Sequence, residues 1–255
     1  MSLLRARCPA CRTLTAVAVD TGYECHSCGS VYAAGLVRVP RAWGSGGEAM
    51  GDAAFVDLPY PEAAIVARET LEEQTAGIAD SLPAVPLVVG GCCCAHTGAV
   101  RGLARRVGRL AVVWLDAHGD LNTPETSPSG NAWGMPLRAA IDEGSVRADD
   151  VALVGARNLD PPERAYVQAE GIDDDVGRAV SGADAVYVAF DLDVLDPSEI
   201  DCFMPEPYGL TVAEAERVLR AVASSGVPLA GMGLTAHLPG TDVAVLARLV
   251  AAAGL

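Results

Sequence analysis

The chain contains no lysine; all 18 of its basic residues are arginine. That excludes Schiff-base chemistry on a lysine amine and the lysine-dependent phosphate cradle of a P-loop. Basic residues are also scarce beside 33 acidic ones, which leaves a net charge of −15. Unspecific nucleic-acid binding needs a basic surface to displace counterions from phosphates, so nucleic acid is not an expected partner. No apolar run approaches the ~20 residues of a membrane-spanning helix, and no membrane partner is expected. The start, Met1-Ser2-Leu3-Leu4-Arg5-Ala6-Arg7-Cys8, has no long apolar stretch before a cleavage site, so export is not expected and a cytoplasmic location is.

What is present fits one sizeable core with a small appendage: 255 residues, 27 of them Gly, 51% apolar and 20% charged. Eight cysteines without an export signal point to metal or thiol chemistry rather than disulfides. Four of them form two C-x2-C knuckles, Cys8-Pro-Ala-Cys11 and Cys25-His-Ser-Cys28. Four thiolates at the corners of a tetrahedron suit a structural Zn²⁺. With the alternating stretch from Thr13 to Val19 and turns at Gly22 and Gly29, residues 1–40 resemble a zinc ribbon. So short a segment buries little core and needs the metal for stability. His26 is expected to be exposed. Gly44-Ser-Gly-Gly47 suggests a flexible linker over residues 41–51, leaving 52–255 as the main domain.

Beyond the linker the pattern alternates. Buried strands are expected at Leu87–Val89, Leu110–Leu115, Val151–Val154, Ala185–Phe190 and Leu229–Leu234. Helices are expected at Pro61–Ala79, Thr97–Val107, Pro161–Ala169, Val212–Ser224 and Thr241–Ala252. This predicts an α/β fold, a parallel sheet with helices on both faces and ligands at the carboxyl ends of the strands. Two strands end in chemistry: Asp116-Ala-His118-Gly-Asp120 follows one, and Asp191-Leu-Asp193 another. Carboxylates with one imidazole suit Mn²⁺ or a similar ion. So many ligands exceed the needs of one ion, and their charges need neutralising, which two bridged cations would do. Such a pair turns a water into a nucleophile near neutral pH.

Asp116-Ala-His-Gly-Asp-Leu-Asn-Thr-Pro124, Ser129-Gly-Asn131, Gly134-Met-Pro136 and Phe190-Asp-Leu-Asp-Val-Leu-Asp-Pro197 resemble the ureohydrolases: arginases, agmatinases and formiminoglutamases. Gly90-Gly91, Gly155-Ala-Arg-Asn-Leu-Asp160-Pro and Pro205-Glu-Pro-Tyr-Gly-Leu210 match further family segments. The resemblance implies a three-layer α/β/α fold with two divalent ions, usually Mn²⁺, and a hydroxide that attacks a guanidinium or amidine carbon. By position Asp116 and Asp191 would bridge the ions, His118 and Asp193 would complete one site, and Asp120 the other. Asn122, Ser127, Ser129 and Asn131 would hold the carboxylate of an amino-acid-like substrate, and Asp160 its ammonium. A homo-oligomer is expected by the same analogy.

The chain departs from the family at three places. Cys93, within Cys92-Cys-Cys94, stands where the first metal motif carries His. Either Cys93 completes the metal site, tilting it toward Zn²⁺ or Fe²⁺, or His96 reaches in from the same helical face. Trp133 stands where arginases and agmatinases place a proton-handling His, and an indole only donates. Thr235 is expected in place of the late guanidinium-binding Glu, with His237 as a substitute base beside the catalytic Asp120. Glu206 and Cys202 are expected near the cavity. The amino-acid end is kept and the reactive end altered. The expected activity is therefore hydrolysis of a C–N bond in a small amino-acid derivative carrying an N-hydroxyguanidino, formimino, ureido or amide group. A catalytically weak binding protein and a single-zinc deacetylase-like hydrolase are the alternatives.

Overall fold

A computed structural model describes residues 5–255; expectations touching residues 1–4, at the start of the ribbon, fall outside the described residues. The N-terminal strands β1 (Arg5–Ala6), β2 (Ala16–Val19), β3 (Gly22–Cys25) and β4 (Val31–Tyr32) form an antiparallel four-stranded sheet in that order. Their small core is Ala6, Cys8, Ala16, Tyr23 and Cys25. His26 is exposed.

Fifteen further elements follow in order: β5 (Gly35–Arg38), α1 (Glu48–Ala53), β6 (Glu62–Ile65), α2 (Leu71–Asp80), β7 (Pro86–Val89), α3 (Cys94–Ala104), β8 (Leu110–Leu115), α4 (Pro136–Asp142), β9 (Val151–Val154), α5 (Pro161–Glu170), α6 (Val176–Val180), β10 (Ala185–Asp191), α7 (Val212–Ala223), β11 (Leu229–Thr235) and α8 (Val243–Ala252). The strands make one seven-stranded sheet, β6-β5-β7-β11-β10-β8-β9, in which every pairing is parallel. β7, β8, β9 and β10 are buried throughout, as strands covered on both faces must be. Alternate residues feed opposite cores. Val113 and Leu115 pack with Leu219 of α7 and Leu249 of α8, while Val112 and Trp114 pack with Ile78 of α2 and Leu137 of α4. The sheet is thus the middle of three layers.

Local chemistry sets the helix starts. Thr70, Asp160 and Thr211 each form a capping box with the Glu three residues on, satisfying backbone donors that a helix start leaves free. Thr70 also explains one departure from expectation. Residues 61–79 are not a continuous helix but strand β6 followed by α2, because the capping box begins the helix only at Leu71. A second departure concerns the domain boundary. β5 is a member of the large sheet, so residues 35–38, expected in the ribbon, already belong to the main body. Nor is residues 41–51 a free linker. A side chain on Gly44 would lie 2.2 Å from the Trp133 ring, the Ser45 amide donates to Asn131 Oδ1, and α1 starts at Glu48. The ribbon also touches the sheet: Arg7 and Glu62 exchange both backbone hydrogen bonds, at 3.1 and 3.0 Å, along β6. No helix among the described residues is long and apolar enough to cross a membrane.

Candidate active site

β8 and β10 are hydrogen-bonded neighbours, with Phe190 opposite Leu115, so the turns that follow them emerge side by side. That adjacency brings Asp116, His118 and Asp120 to Asp191 and Asp193. Each carboxylate is fixed by its own turn. Asp116 Oδ1 accepts from the His118 amide at 2.7 Å and Oδ2 from Trp114 Nε1 at 3.1 Å. Asp191 Oδ1 accepts from the Asp193 amide at 3.0 Å, and Asp193 Oδ1 from the Ala117 amide at 2.9 Å. His118 Nδ1 lies 2.9 Å from Asp193 Oδ2 and 3.4 Å from Asp116 Oδ1. Cys93 Sγ lies 2.7 Å from Asp191 Oδ2 and 3.9 Å from Asp116 Oδ2. The result is two adjoining groups with the spacing of metal ligands, Cys93/Asp116/Asp191 and Asp116/His118/Asp193, which share Asp116.

The electrostatics call for positive charge. Burial and the neighbouring Asp116 and Asp191 push Asp120 well above the usual carboxylate range. Burial and Asp193 do the same to Asp191, and burial with Asp116 lifts Asp193 to about 7. Burial opposes a charged imidazole, yet bonds to Asp116 and Asp193 pull His118 up to about 12. Burial opposes ionisation of Asp116 too, but contact with His118 holds it below its ordinary value. Burial and three carboxylates raise the Cys93 thiol far above its ordinary value. Asp120 Oδ2 and His118 Nε2 are buried without a hydrogen-bond partner. Buried acids of this density are stable only when paired or bound to metal, and an orphaned buried carboxylate oxygen in their midst fits a cation. The donor set therefore fits two divalent ions.

The groups line one cavity of about 240 Å³. Asn122, Ser127, Ser129, Trp133 and Asp160 also line it, with Met50, Phe203 and Met204 as apolar walls. Trp133 and Phe203 meet edge to face at 5.3 Å. Asp120 reaches the cavity on a left-handed backbone (φ 54°), a conformation that Asp tolerates better than most residues. Gly119 before it leaves room for Glu163, which accepts from the Leu121 and Asp160 amides at 3.0 and 2.8 Å. Glu163 thereby ties the two halves of the polar wall together.

A model of the arginase family matches residues 30–254. The chain belongs to the arginase family. The arginase of Bacillus caldovelox is 33% identical over 172 residues, which cover 56% of this chain and 58% of that enzyme. The arginase of Brevibacillus brevis is 33% identical over 205 residues, 65% and 68% of the two chains. The chain thus spans less than two thirds of the Bacillus caldovelox arginase that it matches. Among solved structures, arginase from Bacillus cereus superposes with a TM-score of 0.73 at 23% identity, over 86% of this chain and 96% of the other. Formimidoylglutamase from Bacillus subtilis superposes with a TM-score of 0.69 at 19% identity, over 86% and 84%. These two likenesses establish the arginase fold.

Within this arginase-family site, several expected residues have other positions. His96 does not enter the cluster; its Nδ1 lies 3.0 Å from the Tyr187 hydroxyl and its Nε2 3.1 Å from Thr235 Oγ1, so both nitrogens are engaged in the core. His237 is not the substitute base. Its Nε2 donates to the Ala53 carbonyl at 2.8 Å at the end of α1, and burial lowers its pKa to about 4. Thr235 is fully buried in register with Asp191, and Ala236, with φ 57°, is the residue that faces the cavity there. Asn131 supports the 41–47 segment through Ser45 rather than lining the cavity. Glu206 stands 3.6 Å from His118 Nε2 and accepts from Asn158 Nδ2 at 2.7 Å. Cys202 is buried beside His237, with which it forms a backbone bridge.

Two contributors were missed from sequence. Glu163 was readable as the fourth residue of the Asp160 capping box. Arg157 donates to five carbonyls, those of Asp193, Glu206, Pro207, Gly155 and Val194, at 2.7–3.3 Å. It clamps the turn after β10 to the 203–208 loop. Only its place in the Gly155–Asp160 segment hinted at it.

Proposed function

We propose that this protein is a binuclear-metal hydrolase that cleaves a C–N bond in a small amino-acid derivative. The observation that carries the reading is the orphaned Asp120 Oδ2 amid buried, mutually repelling carboxylates that offer two adjoining ligand groups. Cys93, Asp116, Asp120 and Asp191 would hold one ion, and Asp116, His118, Asp191 and Asp193 the other. Bound there, two divalent cations would acidify an attacking water and offset negative charge as it builds on the attacked group. Mn²⁺ is the family's usual ion, and the Cys93 thiol favours Zn²⁺ or Fe²⁺.

With Asp120 Oδ2 on the ion, the other carboxylate oxygen of Asp120 would take the proton of the attacking water and return it to the departing nitrogen. Asp160 orients the substrate's ammonium, and the Ser127 and Ser129 hydroxyls meet its carboxylate. Trp133, Phe203, Met50 and Met204 enclose the methylene chain and limit water. The cavity has no carboxylate at the end of β11, where Ala236 stands, and Trp133 replaces a proton carrier. A full guanidinium therefore lacks its counter-ion, which supports an N-hydroxyguanidino, formimino, ureido or amide substrate over arginine. In the ribbon, Cys8, Cys11, Cys25 and Cys28 lie within 4.8 Å of one another. The Cys8–Cys28 and Cys11–Cys25 sulfur separations are 3.7 and 3.5 Å. Tetrahedral Zn–S bonds of 2.3 Å would set them about 3.8 Å apart, which supports a structural Zn²⁺. A homo-oligomer belongs to the same reading on family grounds alone.

Elemental analysis of the purified protein tests it. Two ions beyond the ribbon zinc are expected; one supports a deacetylase-like site, and none a binding protein. Asp116→Ala should lose at least one ion and all hydrolysis. Release of urea, formamide or ammonia from arginine, agmatine, formiminoglutamate, N-hydroxyarginine and ureido amino acids, with Mn²⁺, Zn²⁺ and Fe²⁺ each supplied, identifies the substrate. Full activity in Asp116→Ala would end the proposal.

A further inference from the structure

Behind Asp191 lies a run of buried polar groups that the cavity does not use. The Tyr187 hydroxyl is 3.0 Å from His96 Nδ1, His96 Nε2 is 3.1 Å from Thr235 Oγ1, and Thr235 Oγ1 is 3.2 Å from Asp191 Oδ2. All four residues are at most 2% exposed. Polar groups so deep in an apolar core are costly unless every proton has an acceptor. The fold makes room for them. A side chain at Gly233 would lie 2.4 Å from the Tyr187 hydroxyl and 2.6 Å from the His96 ring. Trp114 packs edge-on against that ring at 5.1 Å between centroids.

The carboxylate decides which way the protons point. If His96 carried its proton on Nδ1, Thr235 would donate to Nε2. With Asp191 ionised as a metal ligand, the hydroxyl oxygen would then face its Oδ2 with lone pairs only, oxygen against anionic oxygen. With the proton on Nε2, Tyr187 donates to Nδ1, Nε2 donates to Thr235, and Thr235 donates to Asp191. Every bond is then satisfied in one direction. Burial keeps His96 neutral, with its pKa lowered to about 3, so the imidazole passes a dipole rather than a charge.

We propose that Tyr187, His96 and Thr235 form a one-way hydrogen-bond relay that positions Asp191 as a metal ligand. It leaves Asp191 Oδ2 held from behind by Thr235 while Cys93 Sγ approaches the same oxygen at 2.7 Å. Partners standing behind metal ligands orient them, and their loss costs about 10–100-fold in metal affinity. The proposal rests on the two-ion reading above, and the relay residues act as positioning groups without touching substrate.

The test uses the full-length protein. Thr235→Val keeps the side-chain shape but removes the hydroxyl, and Thr235→Ser restores it. Calorimetric titration of the metal-free protein with Mn²⁺ and with Zn²⁺ should show Thr235→Val about 10–100-fold weaker for one ion, with Thr235→Ser close to wild type. Tyr187→Phe should weaken the same ion by less, because Thr235 keeps its bond to Asp191. Nitrogen NMR of the wild-type protein loaded with Zn²⁺ should find His96 as the Nε2–H tautomer. An Nδ1–H tautomer, or wild-type affinity for both ions in a folded Thr235→Val, would overturn the relay. If the wild-type protein takes up no ion beyond the ribbon zinc, the two-ion reading fails and the relay with it. Two ions bound normally by Thr235→Val would sink the relay alone.

Discussion

Arg157→Met removes the guanidinium that binds five carbonyls while keeping much of its aliphatic bulk. The bonds to the Asp193 and Glu206 carbonyls, at 2.7 and 2.8 Å, are the shortest and are partly buried; that to Pro207 is exposed and water can replace it. A hydrogen bond to a charged donor contributes about 1.5–3 kcal/mol, and bonds sharing one donor group do not add fully. The net loss should be about 3 kcal/mol, which for a chain of this size lowers the melting temperature by about 6–12 °C. The turn after β10 would also loosen, so metal affinity should fall. Urea and thermal unfolding of the metal-free protein measure the first effect, and metal titration the second. Arg157→Lys, with three donors on one nitrogen, should recover less than half of the stability. A melting point within 2 °C of wild type for Arg157→Met would refute the clamp.

Cys93→Ser should lower occupancy of one metal position and leave the His118/Asp193 position filled, as read by elemental analysis; unchanged metal content would remove Cys93 from the ligand set. Ala236→Glu places a carboxylate at the cavity wall and should raise the preference for arginine over neutral analogues at least ~10-fold in kcat/KM, by analogy with a buried charge pair; no change in that ratio would show that this wall does not face the reacting group. Loading the metal-free protein should release protons near pH 7. The Cys93 thiol, raised above an ordinary value that already lies above 7, and Asp193, lifted to about 7, carry protons there that ions must displace. Affinity should therefore rise with pH between about 6 and 8, and a pH-stat trace without proton release would contradict this.

The central strands were legible because β8, β9 and β10 are short apolar runs bounded by turns, and the metal motif because its acids fall directly after two of them. β5 and β6 were hidden by their sequences. Gly35-Leu-Val-Arg38 continues the ribbon without a break in composition, and Glu62-Ala-Ala-Ile65 has helix-forming residues whose strand state comes from pairing with β5. At the end of β11 the expectation was one residue out. Thr235 is in register with Asp191, and the left-handed turn at Ala236 rather than the strand delivers the cavity wall. His96 and His237 show why a histidine near a site does not reveal its role. Each is claimed by a buried partner, Tyr187 with Thr235 or Ala53, that only tertiary packing supplies. The clamping role of Arg157 was not legible beyond its place in the Gly155–Asp160 segment, since its acceptors are backbone carbonyls, several from distant segments.

The backbone pairing of Arg7 with Glu62 has a practical meaning for handling the chain. A shortened protein lacking the cysteine-bearing head would bare the Glu62 end of the outermost strand of the large sheet, whose backbone groups could then recruit strands from other molecules. Trimming that head should therefore yield clumping material rather than a smaller, well-behaved protein.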